Sequence, residues 1–564
     1  MAFNRFRPTG HFIAPHSWSN DPCGAVYVPE TKEYLVCYQW NPGTSDGGNC
    51  AWGMARSKDL VIWEDCAPAI RNGPSYDSLG VFSGSIVSRL IDGERVLFLF
   101  YTSVSALPIH WSKPYIWGCE SQSVAVSTDF GRSWHRSHDN PLLSMPPKGE
   151  ATTGWRDPFV SQWSSLSTLL GVGQETSYMM IASGERGRGP QLHLYKSHDL
   201  CNWDYLSVLL DVKRGSKISK NSRLRFGNNF ECASFFSAGQ MNYILLGVEE
   251  DEDSLRHNYH YTLWLSGTLR LEDGKPRFDI SGHGLADHGI SYAPHIFRDS
   301  KDRLIQLGWA DEAAKKHVVK GQGWAGCLAH PRELFEVSKP IVPGTAMDAP
   351  EWTLHKSSGR MTTLGIRPAP QVAHLRRQSS LSSLKAFVGI RATTCEVEAT
   401  FFNLSGTEKF VFNVFESPGS VEVTKLVFDL GNGRITVDRS QSSLSKLGAD
   451  TPDSGCFRLL PGEDLSVKFF LDVSLVEIYA NDRFALTSRV YPSLDTSRFA
   501  SYDLGAFDER NVQFECWEDL KVAWPARRSG RGVLEEPRSI ADLKSQGERI
   551  HVKTLTMHTV DSVE

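Results

Sequence analysis

One pattern recurs at a fixed interval in the first half of this chain. Ser57-Lys58-Asp59-Leu60 leads to Trp63, Ser127-Thr128-Asp129-Phe130 leads to Trp134, and Ser197-His198-Asp199-Leu200 leads to Trp203, so the serines stand 70 residues apart twice over. Short apolar runs fill the intervals, among them Tyr34-Leu35-Val36-Cys37-Tyr38, Val96-Leu97-Phe98-Leu99-Phe100-Tyr101 and Tyr178-Met179-Met180-Ile181-Ala182. Gly, Pro, Asn and Asp clusters separate these runs, and no long segment of helical period precedes residue 340, which is the texture of many short strands. A strand–turn–strand unit repeated at equal spacing points to a propeller with one four-stranded blade per unit. A fainter echo at 265–269 follows, and residues 280–338 are long enough for a last unit. The fold class expected is therefore all-β, with a five-bladed β-propeller over residues 1–340. Asp129 and Asp199 recur with the turn itself and read as structural.

Beyond Pro340 the texture changes. Residues 341–384 are polar and partly basic, with Arg376-Arg377 and serines at 379, 380, 382 and 383, and read as a linker. Alternating strands return over 385–525, for example Lys409-Phe410-Val411-Phe412-Asn413-Val414-Phe415 and Leu475-Val476-Glu477-Ile478-Tyr479. Alternation with one wet face predicts two packed antiparallel sheets, a C-terminal β-sandwich. Residues 526–564 are polar and basic and read as an extension or tail.

Composition narrows the function classes. With 60 basic and 65 acidic residues the net charge is −5, so nothing asks for a nucleic acid or an anionic membrane as partner. No run of 18 apolar residues is present. Eleven cysteines are scattered without any CxxC pair, which argues against a zinc site and a disulfide framework; no metal or cofactor is expected. The N-terminus lacks an apolar h-region, so the expected home is cytoplasmic, or secreted if the N-terminus has been trimmed.

Candidate chemistry lies at strand starts. Trp18-Ser19-Asn20-Asp21-Pro22-Cys23-Gly24 opens the first unit, with an acid held in turn chemistry beside an indole. Arg156-Asp157-Pro158 lies early in the third unit and Asn229-Phe230-Glu231-Cys232 early in the fourth, at similar offsets from the preceding repeat mark. Equivalent places in successive blades converge on one axis. Carboxylates brought together there suit a retaining glycosidase, which needs a nucleophile and an acid/base, helped by a group that steadies the charged transition state. Plainer readings exist for each: a surface turn at Asp21, an ion pair for Arg156-Asp157, a solvent-facing Glu231, and an ordinary strand start at Phe82-Ser83-Gly84-Ser85.

These stretches as a set resemble glycoside hydrolase family 32, the invertase, inulinase and fructosyltransferase family. The carriers are residues 18–24, Tyr38-Gln39, Trp52-Gly53 with the 57–63 mark, 82–85, 156–158, Glu231-Cys232, Trp324-Ala325-Gly326-Cys327-Leu328 with Pro331-Arg332-Glu333-Leu334, and Ser474-Leu475-Val476-Glu477-Ile478-Tyr479 with Ser488-Arg489-Val490-Tyr491-Pro492. The resemblance spans roughly residues 11–520 and implies a five-bladed propeller plus a sandwich. It implies Asp21 as nucleophile, Glu231 as acid/base with a pKa raised toward neutrality, and Asp157 as transition-state stabiliser with Arg156 alongside. It places Asn20, Gln39, Trp52, Phe82 and Ser83 in a fructose subsite, joined by Trp309. The activity implied is cleavage of sucrose through a covalent fructosyl-enzyme.

Ser19, Cys23 and Ala233 depart from the family pattern in a way similar to fungal enzymes that transfer fructose. The expected activity thus includes transfer to sucrose, giving fructo-oligosaccharides, and Ser19 and Cys23 are expected to tune the preference for a sugar acceptor. Aromatic walls for that acceptor are expected from the loop 110–117, from Tyr292 and His295, and from the acids at 249–252. The alternatives are a plain invertase or inulinase, an inverting arabinanase-like propeller, and a catalytically silent sugar-binding propeller.

Overall fold

The computed structural model describes residues 2–147, 151–220, 222, 224–249, 260–341, 349–391 and 393–527. The first part of the chain forms five antiparallel sheets in sequence order. They begin with the strands Ser17–Val28, Gly80–Ile91, Thr152–Gln162, Asn229–Ala238 and Ser291–Arg298. Each of these first strands packs against the next, and Ser291–Arg298 packs back against Ser17–Val28, so the five run around a common centre. The start and end of this part are stitched together, since Trp324–Ala325 pairs in parallel with Ser17 and Trp18 on the free edge of the first sheet.

The repeat marks are three copies of one turn. In each, the aspartate carboxylate accepts the serine hydroxyl at 2.8–3.1 Å, and the next residue (Leu60, Phe130 or Leu200) turns left-handed at φ 62–66°. Side-chain acceptors stand in for the missing strand partner and hold that backbone in place. The echo at 265–269 is different: it lies inside the continuous strand His260–Glu272, and the turn falls later, at Asp273-Gly274. The stretch read as a linker is partly sheet. Arg360–Pro368 pairs along the whole of Arg332–Pro340 and Thr353–His355 pairs with it, extending the fifth sheet.

Two five-stranded sheets form the C-terminal part, with strand orders that interleave distant segments. Their inward-facing residues alternate along the strands, as in Lys409–Glu416 and Arg434–Gln441. Phe401, Phe410, Phe412, Phe428 and Phe469 meet between the sheets, Phe401 stacking on Phe410 at 4.2 Å. Leu475–Ala480 and Phe484–Arg489 break the alternation and are buried throughout, because their outer face lies against the first part of the chain.

Charged groups are buried at that boundary. Arg332 donates to Asp287, Glu477 and Thr487 at 2.7–3.1 Å. His11 lies between Asp472 at 2.7 Å and Glu477 at 2.9 Å, with the His330 ring stacked on it at 3.8 Å. His11, His330 and Glu477 bring possible metal-ligating atoms within 4.8 Å of one another, but both His11 nitrogens are committed to carboxylates. Burial works against a charge on His11, yet its two carboxylate partners outweigh this and raise it to about 9; burial and the neighbouring His11 charge hold His330 down to about 3. Beyond the sandwich, Ala523 bonds Thr9 and Trp63, and Arg527 lies over Trp524 and pairs with Asp65. The rest of the expected extension, 528–564, lies outside the described residues.

Candidate active site

A β-bulge interrupts each of the five first strands at the same level. The register slips at 20–21, at 83, at 157–158, at 232–233 and at 293–294. A bulge bends the strand and re-aims the extra residue. Here it turns Asp21, Ser83, Asp157 and Cys232 out of their sheets toward the common centre. Asp157, Cys232 and Ala293 take positive φ values of 64°, 46° and 49°, backbone strain of the kind that surrounding structure must hold in place.

The side chains meet in a connected network. Gln39 Nε2 donates to the Ser83 hydroxyl at 2.6 Å, which donates to Asp21 Oδ2 at 2.6 Å, while Asn20 Nδ2 donates to Asp21 Oδ1 at 3.0 Å. Trp18 Nε1 fixes Asn20 in turn. The Cys232 sulfur lies 3.4 Å from Asp21 Oδ2 and 3.6 Å from Asp157 Oδ2, and the Cys232 N–H donates to Asp157 Oδ2 at 2.9 Å. One thiol therefore sits between the two aspartates. Glu231 receives Arg156 on Oε1 at 2.7 and 3.2 Å and the Tyr292 hydroxyl on Oε2 at 2.8 Å. Arg156 also reaches Glu120 at 3.2 Å and Glu249 at 3.1 Å.

Three acids thus contact one guanidinium, with Asp157 and Asp21 in the same network, and their protonation is pulled apart. Burial raises Asp21, with the Glu231 charge adding to it against the Ser83 hydrogen bond. Asp157 rises to about 7, through burial first and then the Glu231 and Asp21 charges, against the pull of Arg156. Glu249 rises to about 8 by burial and the Glu231 charge. Glu231 goes the other way. Burial pushes it up, but the Arg156 charge and hydrogen bonds, with Tyr292, outweigh that and hold it below the ordinary carboxylate range. This reverses the expectation of a raised Glu231, and the close Arg156 contact is the reason.

Other expected site residues are placed differently. Phe82 is half-buried beside Ser83. Trp309 packs with Trp18, Tyr292, Ala293 and Cys232, edge-on to Trp18 at 5.7 Å. Gly326 sits directly under it at φ 78°, where a Cβ would meet Ser19 O at 2.1 Å. Trp52 is fully buried instead of facing the centre: its indole N–H holds the Phe82 carbonyl at 3.0 Å, so it supports the Ser83 bulge from behind. His295 is turned to the first strand, where Nε2 accepts the Ala25 N–H at 3.1 Å, and burial lowers it to about 4. Ser19 and Cys23 are both buried, with Ser19 bonded to the Gly326 carbonyl, and neither faces an acceptor. In the loop 110–117, Trp111 is half-buried beneath the Arg214 guanidinium at 5.6 Å and Trp117 is exposed. Of the acids at 249–252, Glu249 joins the network, and 250–252 lie outside the described residues. Glu120 and Thr102, whose hydroxyl accepts the Asp157 N–H at 2.8 Å, were not singled out from the sequence. The one available signal was Glu120 opening the strand Glu120–Ser127 that ends on the second repeat mark.

Clustered acids of unlike protonation, in a protein built of a ring of sheets and a sandwich, define a glycoside hydrolase. The chain belongs to glycosyl hydrolases family 32: the family's N-terminal domain matches residues 11–341 and its C-terminal domain residues 366–518. Sucrose-6-phosphate hydrolase of Escherichia coli is 26% identical over 513 residues, covering 88% of this chain and 92% of that protein. Raffinose invertase of Escherichia coli is 28% identical with the same coverage. Among solved structures, Aspergillus kawachii β-fructofuranosidase complexed with glycerol superposes with a TM-score of 0.82 at 28% identity, covering 93% of this chain and 96% of that one. The A. japonicus fructosyltransferase, with a TM-score of 0.79 at 24% identity over 93% and 97%, shares the fold.

Proposed function

We propose that this protein is a retaining β-fructofuranosidase that cleaves sucrose and passes part of the fructose to a second sucrose. Asp21 attacks the anomeric carbon to form a covalent fructosyl-enzyme; Glu231 protonates the departing oxygen and then deprotonates the acceptor; Asp157 steadies the ring hydroxyls. The observation that carries this reading is the Cys232 sulfur between Asp21 and Asp157, with Glu231 at the edge of the same bulge. In the same reading the five sheets are the blades of a five-bladed propeller, the catalytic unit covers residues 1–340 together with the added strands at 353–368, and the sandwich covers 385–525. Its eleven free thiols favour a reducing compartment.

Support for transfer comes from the half-buried Trp111 under Arg214 and the exposed Trp117, which offer aromatic faces to an acceptor sugar. A purely hydrolytic reading draws on the names of the two bacterial relatives, a hydrolase and an invertase. Chromatography of products from concentrated sucrose separates the two. A trisaccharide with glucose in excess over fructose is the expected outcome; equal glucose and fructose with no trisaccharide would leave hydrolysis alone.

A further inference from the structure

Arg156 serves more carboxylates than one charge can neutralise. Its Nη2 lies 2.7 Å from Glu231 Oε1 and 3.1 Å from Glu249 Oε2, and its Nη1 lies 3.2 Å from Glu120 Oε1. The Trp155 N–H, at 2.7 Å, anchors Glu120. Glu231 and Glu249 therefore meet across a single nitrogen. Like charges this close, in a part-buried site, do not both ionise freely. The same Glu249 oxygen is held a second time: Asn229 Nδ2 donates to Glu249 Oε2 at 2.9 Å, and the Thr153 hydroxyl donates to Asn229 Oδ1 at 2.9 Å, which sets the direction of the amide.

On the reading given above, Glu231 must carry a proton when the leaving oxygen departs, and its paired contact with Arg156 opposes this. We infer that Glu249 is a positioning residue that supplies the proton: the two glutamates share one proton across Arg156, held on Glu249 in the empty site and passed to Glu231 as the glycosidic oxygen arrives. The step moves one proton from the Glu249 carboxyl to the Glu231 carboxylate. No bond to carbon changes, the pair keeps one negative charge, and Arg156 shifts its closer contact from Glu231 to Glu249. The resting distribution fits, with Glu249 raised to about 8 by burial and the Glu231 charge, and Glu231 held low. Asp21, Asp157, Cys232 and Glu120 face the same space and resist a second negative charge there. Among the described residues, Tyr292, His260 and His110 also face Glu231.

The test is Glu249→Gln, which keeps the size of the side chain but has no proton to transfer. For sucrose, kcat/KM is expected to fall on the order of 100-fold, with the alkaline limb of the pH profile moved down by about one unit or more. β-D-Fructofuranosyl fluoride, whose leaving group departs without a proton, is expected to react within about threefold of the parent rate. Equal losses on both substrates, or an unmoved alkaline limb, would overturn the inference. Thermal melting accompanies each assay; if Glu249→Gln melts below the assay temperature, Glu249→Asp serves in its place, with a loss on sucrose alone expected and an equal loss on both again overturning it. A parent protein inactive on both substrates would overturn the β-fructofuranosidase reading itself.

Discussion

Where the five first strands meet, Arg156 faces Glu120, Glu231 and Glu249, with Asp21 and Asp157 close by. At the boundary with the sandwich, Arg332 and a charged His11 face Asp287, Asp472 and Glu477. Both clusters are buried and hydrogen-bonded, yet they hold protons differently. At the boundary, two cations meet three acids; burial raises Asp287, but Asp472 and Glu477 are held below the ordinary range by their hydrogen bonds and the neighbouring cations. Around Arg156 the acids outnumber the cation, and burial first, then the neighbouring carboxylate charges, raises Asp157 to about 7 and Glu249 to about 8. The near-balanced set clamps two domains. The unbalanced set has the properties of a catalytic centre, at a cost in stability.

The sharpest way to break this comparison is Asp21→Asn. Activity on sucrose is expected to fall at least about 1,000-fold, while the melting temperature holds or rises. The folded pKa of Asp21 lies above its unfolded value, so the ionised form costs stability once pH passes the unfolded pKa, and the amide removes that cost. The gain should therefore be larger at pH 8 than at pH 4; a large loss of stability at pH 8 would contradict it. Glu477→Gln at the boundary should behave oppositely. It leaves His11 and Arg332 with less counter-charge in a dry interface, and a loss of about 3–5 kcal/mol is expected in denaturant unfolding, with activity per folded molecule retained. A neutral outcome would mean that the clamp is not electrostatic.

The smallest effect expected is the share of the pH dependence of stability that the stacked histidines contribute. His11, raised to about 9, contributes stability that is full below about 6.5 and is lost as pH climbs to 9. His330, lowered to about 3, favours the unfolded chain as pH falls from about 6.5 toward 3, because only the unfolded state takes up its proton. Each limb should span about 1–3 kcal/mol. His11→Gln should remove the alkaline limb and soften the acid one, since the His11 charge helps to hold His330 low, as read by thermal melting of variant and parent across pH.

Much of the site could be read from the residues because it sits at strand starts and repeats with the blades. Asp157 and Glu231 lie at similar offsets from their repeat marks, and the fold brings them into one network with Asp21, which opens the first unit. The misreadings have physical causes. His295 lies on a first strand and Trp52 on the third strand of its sheet, but whether a ring faces a ligand or backs a neighbouring bulge depends on packing between sheets, which no local pattern records. Glu120 was overlooked because it reaches Arg156 from the third strand of its sheet. The strand Arg360–Pro368 was hidden in a polar stretch because its pairing partner Arg332–Pro340 supplies the order. The 474–479 motif read as an ordinary sandwich strand, since its partners His11, His330 and Arg332 lie 145 to 466 residues away.

The tethering of the N-terminus has a consequence for the order in which the molecule is made. The strand that carries Asp21 is paired at its start with Trp324–Ala325, and the segment just before it is held by Asp472 through the backbone of Thr9 and Gly10 and the ring of His11. A growing chain on the ribosome has Asp21, Asp157 and Glu231 once residue 231 emerges, yet the segment leading into the strand of Asp21 gains its anchor some 240 residues later. Competence is thus tied to completion: an unfinished chain holds the reagents without the clamp that aligns them.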